Sequence, residues 1–108
     1  MSIELPKPID AYFAADRNDG DAVAGCFTEN AVVKDEDHMY EGLAAIRQWK
    51  TDSSLKYTYT SVPFACEDKD GRVLVTSRVS GDFPGSPVDL RYFFILEGDK
   101  IASLEILP

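Results

Sequence analysis

From Val88 to Leu96 the chain reads VDLRYFFIL, and from Leu90 onward every residue except Arg91 suits a buried position. A strand this apolar needs cover on both faces, so it belongs inside a sheet that other elements enclose. It is far too short to span a bilayer. The rest of the chain must therefore supply its neighbours and its cover.

The neighbours read as strands. Residues 55–65 place Tyr57 and Tyr59 on one side and Thr58 and Thr60 on the other, the alternation of a half-buried strand. Glu67-Asp68-Lys69-Asp70-Gly71 is a hairpin turn in which Asp-Gly supplies the positive φ. Residues 72–82 alternate Val73, Val75, Ser77 and Val79 against Leu74, Thr76, Arg78, Ser80 and Asp82. Phe83-Pro84-Gly85-Ser86-Pro87 breaks the chain before the apolar run. Glu97-Gly98-Asp99-Lys100 then turns it into a last strand, 101–107.

The cover reads as helices. Pro6 and Pro8 suit a first helical turn, and Ile9, Tyr12, Phe13 and Asp16 follow at helical spacing, so a helix is expected over about 7–17. Asn18-Asp19-Gly20-Asp21 is a turn in which Asp19 or Asp21 caps a short second helix with Ala22, Val23, Cys26 and Phe27 on its apolar face. A strand at about 31–35 comes next, and a third helix runs over about 43–52. Three helices followed by a run of strands is an α+β pattern in one domain, residues 1–108.

Within this order one stretch brings chemistry together. In FTENAVVKDEDHMYEGLAAIRQW, residues 27–49, the apolar Ala31-Val32-Val33 leads into Asp35, Glu36, Asp37 and the only histidine, His38. A strand thus delivers carboxylates to its own end, beside the helix that Gly42 opens. Four consecutive residues without a turn glycine are a poor cage for a hard cation, so no metal is expected. The net charge of −8 argues against nucleic acid and against an anionic membrane surface as partners. The first ten residues, MSIELPKPID, lack a basic segment followed by an apolar one, which suggests a cytoplasmic protein. Cys26 and Cys66 are expected as two reduced, buried thiols.

Three segments, AYFAADRNDGDAVAGCFTENAVVKD, YEGLAAIRQW and LRYFFILEGDKIASLEI, together resemble the SnoaL-like branch of the nuclear transport factor 2-like superfamily. The similarity rests on the helix ending in Gly20-Asp21, on Phe27-x-x-x-Ala31-x-Val33, on Gly42-x-x-x-Ile46 and on Gly98-x-Lys100-Ile101. It implies a cone-shaped α+β barrel, three N-terminal helices packed on a curved, mainly antiparallel sheet around a pocket. It also implies a homodimer through the outer sheet face. The superfamily includes ketosteroid isomerases, polyketide cyclases, epoxide hydrolases, dehydratases and non-catalytic binding domains, so the resemblance carries fold further than function.

Ketosteroid isomerases offer the sharper comparison. Tyr12 matches their helix-one tyrosine, which donates to a developing oxyanion, and Asp35 matches their strand-one aspartate, which moves the proton. Where they carry a second donor, an aspartic acid, this chain has Arg91 or Tyr92, with Asp89 two or three positions away. Arg78 and Arg91 interrupt otherwise apolar strands and need carboxylate partners, with Asp82 and Asp89 nearest; a cross-strand surface pair is the alternative. The expected catalytic set is Asp35 as base with Tyr12 and Arg78 or Arg91 as electrophilic partners. Phe13, His38, Trp49, Tyr57, Asp89 and Tyr92 are expected to contact the ligand, a small apolar or polycyclic carbonyl compound. The corresponding reaction is cofactor-free proton transfer in an isomerisation or cyclisation. A binding domain without turnover and a hydrolase that activates water with an Asp–Arg set are the alternatives.

Overall fold

The computed structural model describes residues 3–16 and 20–108. Helix α1, Lys7–Ala15, begins after Pro6 and buries Ile9, Tyr12, Phe13 and Ala15. The expected end of this helix at Arg17, and the Asn18-Asp19 turn with its Asp19 cap, lie outside the described residues. Helix α2 is Gly20–Ala24, one turn shorter than its apolar spacing suggests. Cys26 falls in the turn after it, and Phe27 already starts strand β1, Phe27–Asp35. The Phe-x-x-x-Ala-x-Val segment is strand throughout because Phe27, Ala31 and Val33 all reach the core from it.

Strand β2, His38–Glu41, has no counterpart in the expected order of elements. Glu36 and Asp37, with φ of 52° and 64°, form a two-residue hairpin that returns the acidic loop antiparallel onto β1. The left-handed pair carries no glycine, and Asp37 alone is a weak turn signal. Gly42 then takes φ 87° and donates its backbone N–H to the Ala31 carbonyl at 2.9 Å. Helix α3, Leu43–Lys56, starts there and continues one turn beyond the expected end.

The remaining strands are β3, Tyr59–Lys69; β4, Arg72–Gly81; β5, Val88–Glu97; and β6, Lys100–Leu107. Tyr57 is not in a strand but closes α3, and the β3–β4 turn tightens to Asp70-Gly71. The six strands form one mixed sheet in the order β2-β1-β6-β5-β4-β3. Every neighbouring pair is antiparallel except β1 and β6, which run parallel. The fold is α+β, with three helices among the described residues and a curved six-stranded sheet.

The core lies between the helices and one sheet face. Ile9, Tyr12, Phe13, Val23, Ile46 and Trp49 from the helices meet Val33, Val75, Tyr92, Phe94, Ile101 and Leu104 from the strands. On β5 the two faces differ by alternation: Tyr92 and Phe94 enter this core, and Asp89, Arg91, Phe93 and Ile95 look out the other side. The outward Phe93 is nevertheless buried, because the guanidinium groups of Arg72 and Arg91 lie 4.4 and 5.9 Å from its ring centre. Cys66 is exposed and Cys26 half-buried, so the expected burial of both thiols does not hold.

Candidate functional site

At the end of the sheet where β1 finishes, a cavity of about 680 Å³ opens between α1, α3 and the strands. Asp35 stands on its wall because it is the last residue of β1. The β2 hairpin holds it opposite His38, and the parallel ladder holds it beside Ile106. Its Oδ2 accepts the indole N–H of Trp49 at 3.0 Å. Burial raises the Asp35 pKa above the ordinary aspartate value; the Trp49 hydrogen bond opposes that rise, Glu36 adds to it and the Lys50 charge lowers it.

Tyr12 borders the same cavity from α1. Its ring is packed edge-on against Phe13, Phe27, Tyr92 and Phe94, at centroid distances of 5.1 to 6.4 Å. Burial, then the charge of Asp16, pushes its pKa well above the usual phenol value, so the hydroxyl stays protonated and can donate. Tyr92, also on the cavity, is pushed up to about 12 by burial, while a hydrogen bond from Ser61 counteracts the rise.

Beneath these groups lies an arrangement that the sequence reading did not single out. Lys50 is buried, and its Nζ meets Asp16 Oδ1 at 2.6 Å and the Tyr59 hydroxyl oxygen at 2.9 Å. The Tyr59 hydroxyl in turn donates to Asp16 Oδ1 at 3.2 Å. The ammonium also lies 4.5 Å from the Trp49 ring centre, 5.6 Å from that of Tyr59 and 5.8 Å from that of Tyr12. Lys50 and Tyr59 both line the cavity. A signal for this triad exists in the pattern. Lys50 follows Ile46 by four, which places it on the apolar stripe of α3, and Asp16 follows Tyr12 and Phe13 on the apolar stripe of α1.

The cavity brings together six of the ten expected residues: Tyr12, Asp35, His38, Trp49, Tyr57 and Tyr92. His38 is exposed at its mouth. Tyr57 packs edge-on against Phe83, 5.9 Å away, on the opposite rim. The other four lie elsewhere. Phe13 is core behind Tyr12. Arg78 and Asp89 form an exposed two-point pair, at 2.9 and 3.3 Å, across β4 and β5. Arg91 donates to the Pro108 carbonyl at 3.1 and 3.3 Å. Alternation decides this: Val79, Val88, Leu90 and Tyr92 face the cavity, so their neighbours Arg78, Asp89 and Arg91 face away from it. Neither arginine can serve as the electrophile expected in the pocket. Among the described residues no group of three or more potential metal ligands is found, and no helix is long and apolar enough to cross a membrane.

A family model described as a SnoaL-like domain matches residues 9–104. A Sinorhizobium meliloti protein named as a candidate polyketide cyclase is 39% identical, with 95% of each chain covered and a TM-score of 0.90. A Catenulispora acidiphila protein with a ketosteroid isomerase-like fold, solved in complex with trimethylamine, is 16% identical; 97% of this chain and 87% of that one align, with a TM-score of 0.86. SalBIII, an epoxide hydrolase/cyclase-like enzyme of pyran ring formation in the polyether salinomycin, is 23% identical, with 93% and 86% covered and a TM-score of 0.78. These last two likenesses are of fold. No curated protein matches the chain.

Proposed function

This chain belongs to the SnoaL-like domain family, and from that premise we propose that its cavity takes a small, largely apolar carbonyl compound and catalyses proton transfer on it without a cofactor. Asp35 removes a proton from the carbon next to the carbonyl, and the neutral Tyr12 hydroxyl donates a hydrogen bond to the oxygen as it gains charge. In an isomerisation the same carboxyl returns the proton to another carbon of the ligand. The observation that carries this reading is the placement of Asp35, half-buried, on the same cavity as Tyr12. Burial raises its pKa toward the range in which a carboxylate is a useful base. The cavity volume of about 680 Å³ suits a ligand of two or more fused rings. The 39% identity to the candidate polyketide cyclase is consistent with that class.

The test is deuterium exchange at the α-carbon of 2-tetralone in heavy water, followed by NMR. Wild-type protein should accelerate exchange, and Asp35→Asn should abolish the acceleration while still binding the ketone. Binding without exchange in the wild type would favour a second reading, a ligand-binding domain without turnover. The Trp49 hydrogen bond supports that alternative, because it stabilises the carboxylate as an acceptor and weakens it as a base. A water-activating Asp–Arg set has no support, since both arginines lie outside the cavity.

The outer sheet face has a separate use in this reading: it pairs two copies of the chain. Met39, Val62, Phe64 and Ile95 are exposed there beside Arg78 and Arg91. A dimer at micromolar concentration in sedimentation, converted to monomer by Phe64→Glu, is the expected result. A monomeric wild type would refute the pairing.

A further inference from the structure

We propose that Lys50 binds and stabilises a negatively charging oxygen of the ligand, so that the site selects compounds whose oxygen ionises or enolises. This deepens the proposed function and rests on its small-molecule cavity. A lysine ammonium has three N–H donors and no acceptor. Asp16 and Tyr59 are the acceptors it meets among the described residues, which leaves a third donor on a side chain that lines the cavity. The rings of Trp49, Tyr59 and Tyr12 surround the ammonium, so their faces are already taken by a resident cation. A second cation is disfavoured there, and an oxyanion is favoured.

The fixed partners also hold the group in place. Asp16 caps the end of α1, Tyr59 comes from β3 and Lys50 from α3, so the ammonium is tied to three parts of the fold before any ligand arrives. Trp49 connects the two poles of the site. Its N–H edge holds Asp35 at 3.0 Å, and its face lies 4.5 Å from Lys50 Nζ. A proton acceptor and a cationic donor thus flank one indole on the same cavity, one to take a proton from carbon and the other to hold the oxygen of the same small molecule. The charged and titratable groups around Lys50 are Tyr12 of α1, Asp16 at its C-terminal cap, Asp35 of β1, Tyr59 of β3 and Tyr92 of β5.

The probe is 2-naphthol, whose ionised form has its own absorption band, with naphthalene as the control that has no oxygen. Wild-type protein should bind both and, at one fixed pH, raise the ionised fraction of bound naphthol about tenfold over free naphthol, the proton going to solvent. Lys50→Met strands a buried carboxylate, so the deciding variant is Lys50→Met/Asp16→Leu, which removes both charges and leaves the net charge of the site unchanged. That variant should bind naphthalene as the wild type does and lose the enhanced ionisation. Naphthol that binds the wild type without enhanced ionisation, or whose ionisation survives the double substitution, would overturn the role of Lys50 while leaving the cavity reading intact. Failure of the wild type to bind either probe would overturn both.

Discussion

Two ion pairs of similar length sit on opposite faces of the sheet. Lys50 and Asp16 meet at 2.6 Å with side chains 5% and 6% exposed; Arg78 and Asp89 meet at 2.9 Å with side chains 60% and 43% exposed. The inner pair is enclosed by aromatic rings, and removing one partner alone leaves a charge in the core. The outer pair exchanges one solvated geometry for another and is screened by salt. Distance is nearly equal, so burial alone separates a group that organises a site from one that decorates a surface.

The largest effect should come from breaking the inner pair on one side. Lys50→Met leaves Asp16 unpaired and buried, and should cost about 3–5 kcal/mol of unfolding free energy by chemical denaturation. A loss as small as that of a surface substitution would mean that Asp16 reaches water. Removing both partners should matter less. Lys50→Met/Asp16→Leu should recover to within about 1–2 kcal/mol of wild type, since apolar replacement of a whole buried pair is often neutral. If the double variant is as unstable as the single one, the pair itself and not the stranded charge supports the fold.

Asp35 gives a smaller effect, and one with a pH signature. Its folded pKa is raised, so the unfolded chain gives up this proton first and the folded state bears the penalty of the ionised form. The contribution of Asp35 to stability therefore falls as pH rises from the ordinary aspartate pKa through the raised folded value, and stays reduced above it. Asp35→Asn should raise the melting temperature at pH 7 and leave it unchanged at pH 3. A gain at both values would point to packing instead of ionisation. The smallest effect is that of Arg78→Met, which should leave the melting temperature of dilute protein within experimental scatter. High salt should likewise leave wild type and Arg78→Met indistinguishable, while the penalty of Lys50→Met persists in it.

The same contrast explains what could be read before the structure. The strands were legible because alternation and Asp-Gly or Glu-Gly-Asp-Lys turns state their boundaries, and Asp35 was legible because an apolar strand visibly ends in it. The β2 hairpin was not, because Glu36 rarely takes left-handed backbone and Asp37 stands in an acidic run without the glycine that usually completes such a turn. Arg78 and Arg91 are conspicuous because charge interrupts an apolar strand there, although alternation sends them outward. Lys50 and Asp16 both fall on an apolar helical stripe, but a charged residue there ordinarily reaches solvent, so the stripe alone does not announce a buried pair. Their meeting depends on how α1 and α3 approach each other, and no local pattern encodes that.

The one parallel ladder has a consequence for how the chain acquires its site. It sets Asp35 beside Ile106, with about seventy residues of chain between them. Hairpins and helices close over short distances and form fast; this ladder must first close a long loop. A nascent chain can therefore have α1, α3 and the β3–β4 hairpin in place and still hold Asp35 on a free edge. Its wall is complete, and its carboxylate desolvated, only after β6 has been made and has slotted between β1 and β5. The acid–base character of Asp35 thus depends on a contact between segments far apart in the chain.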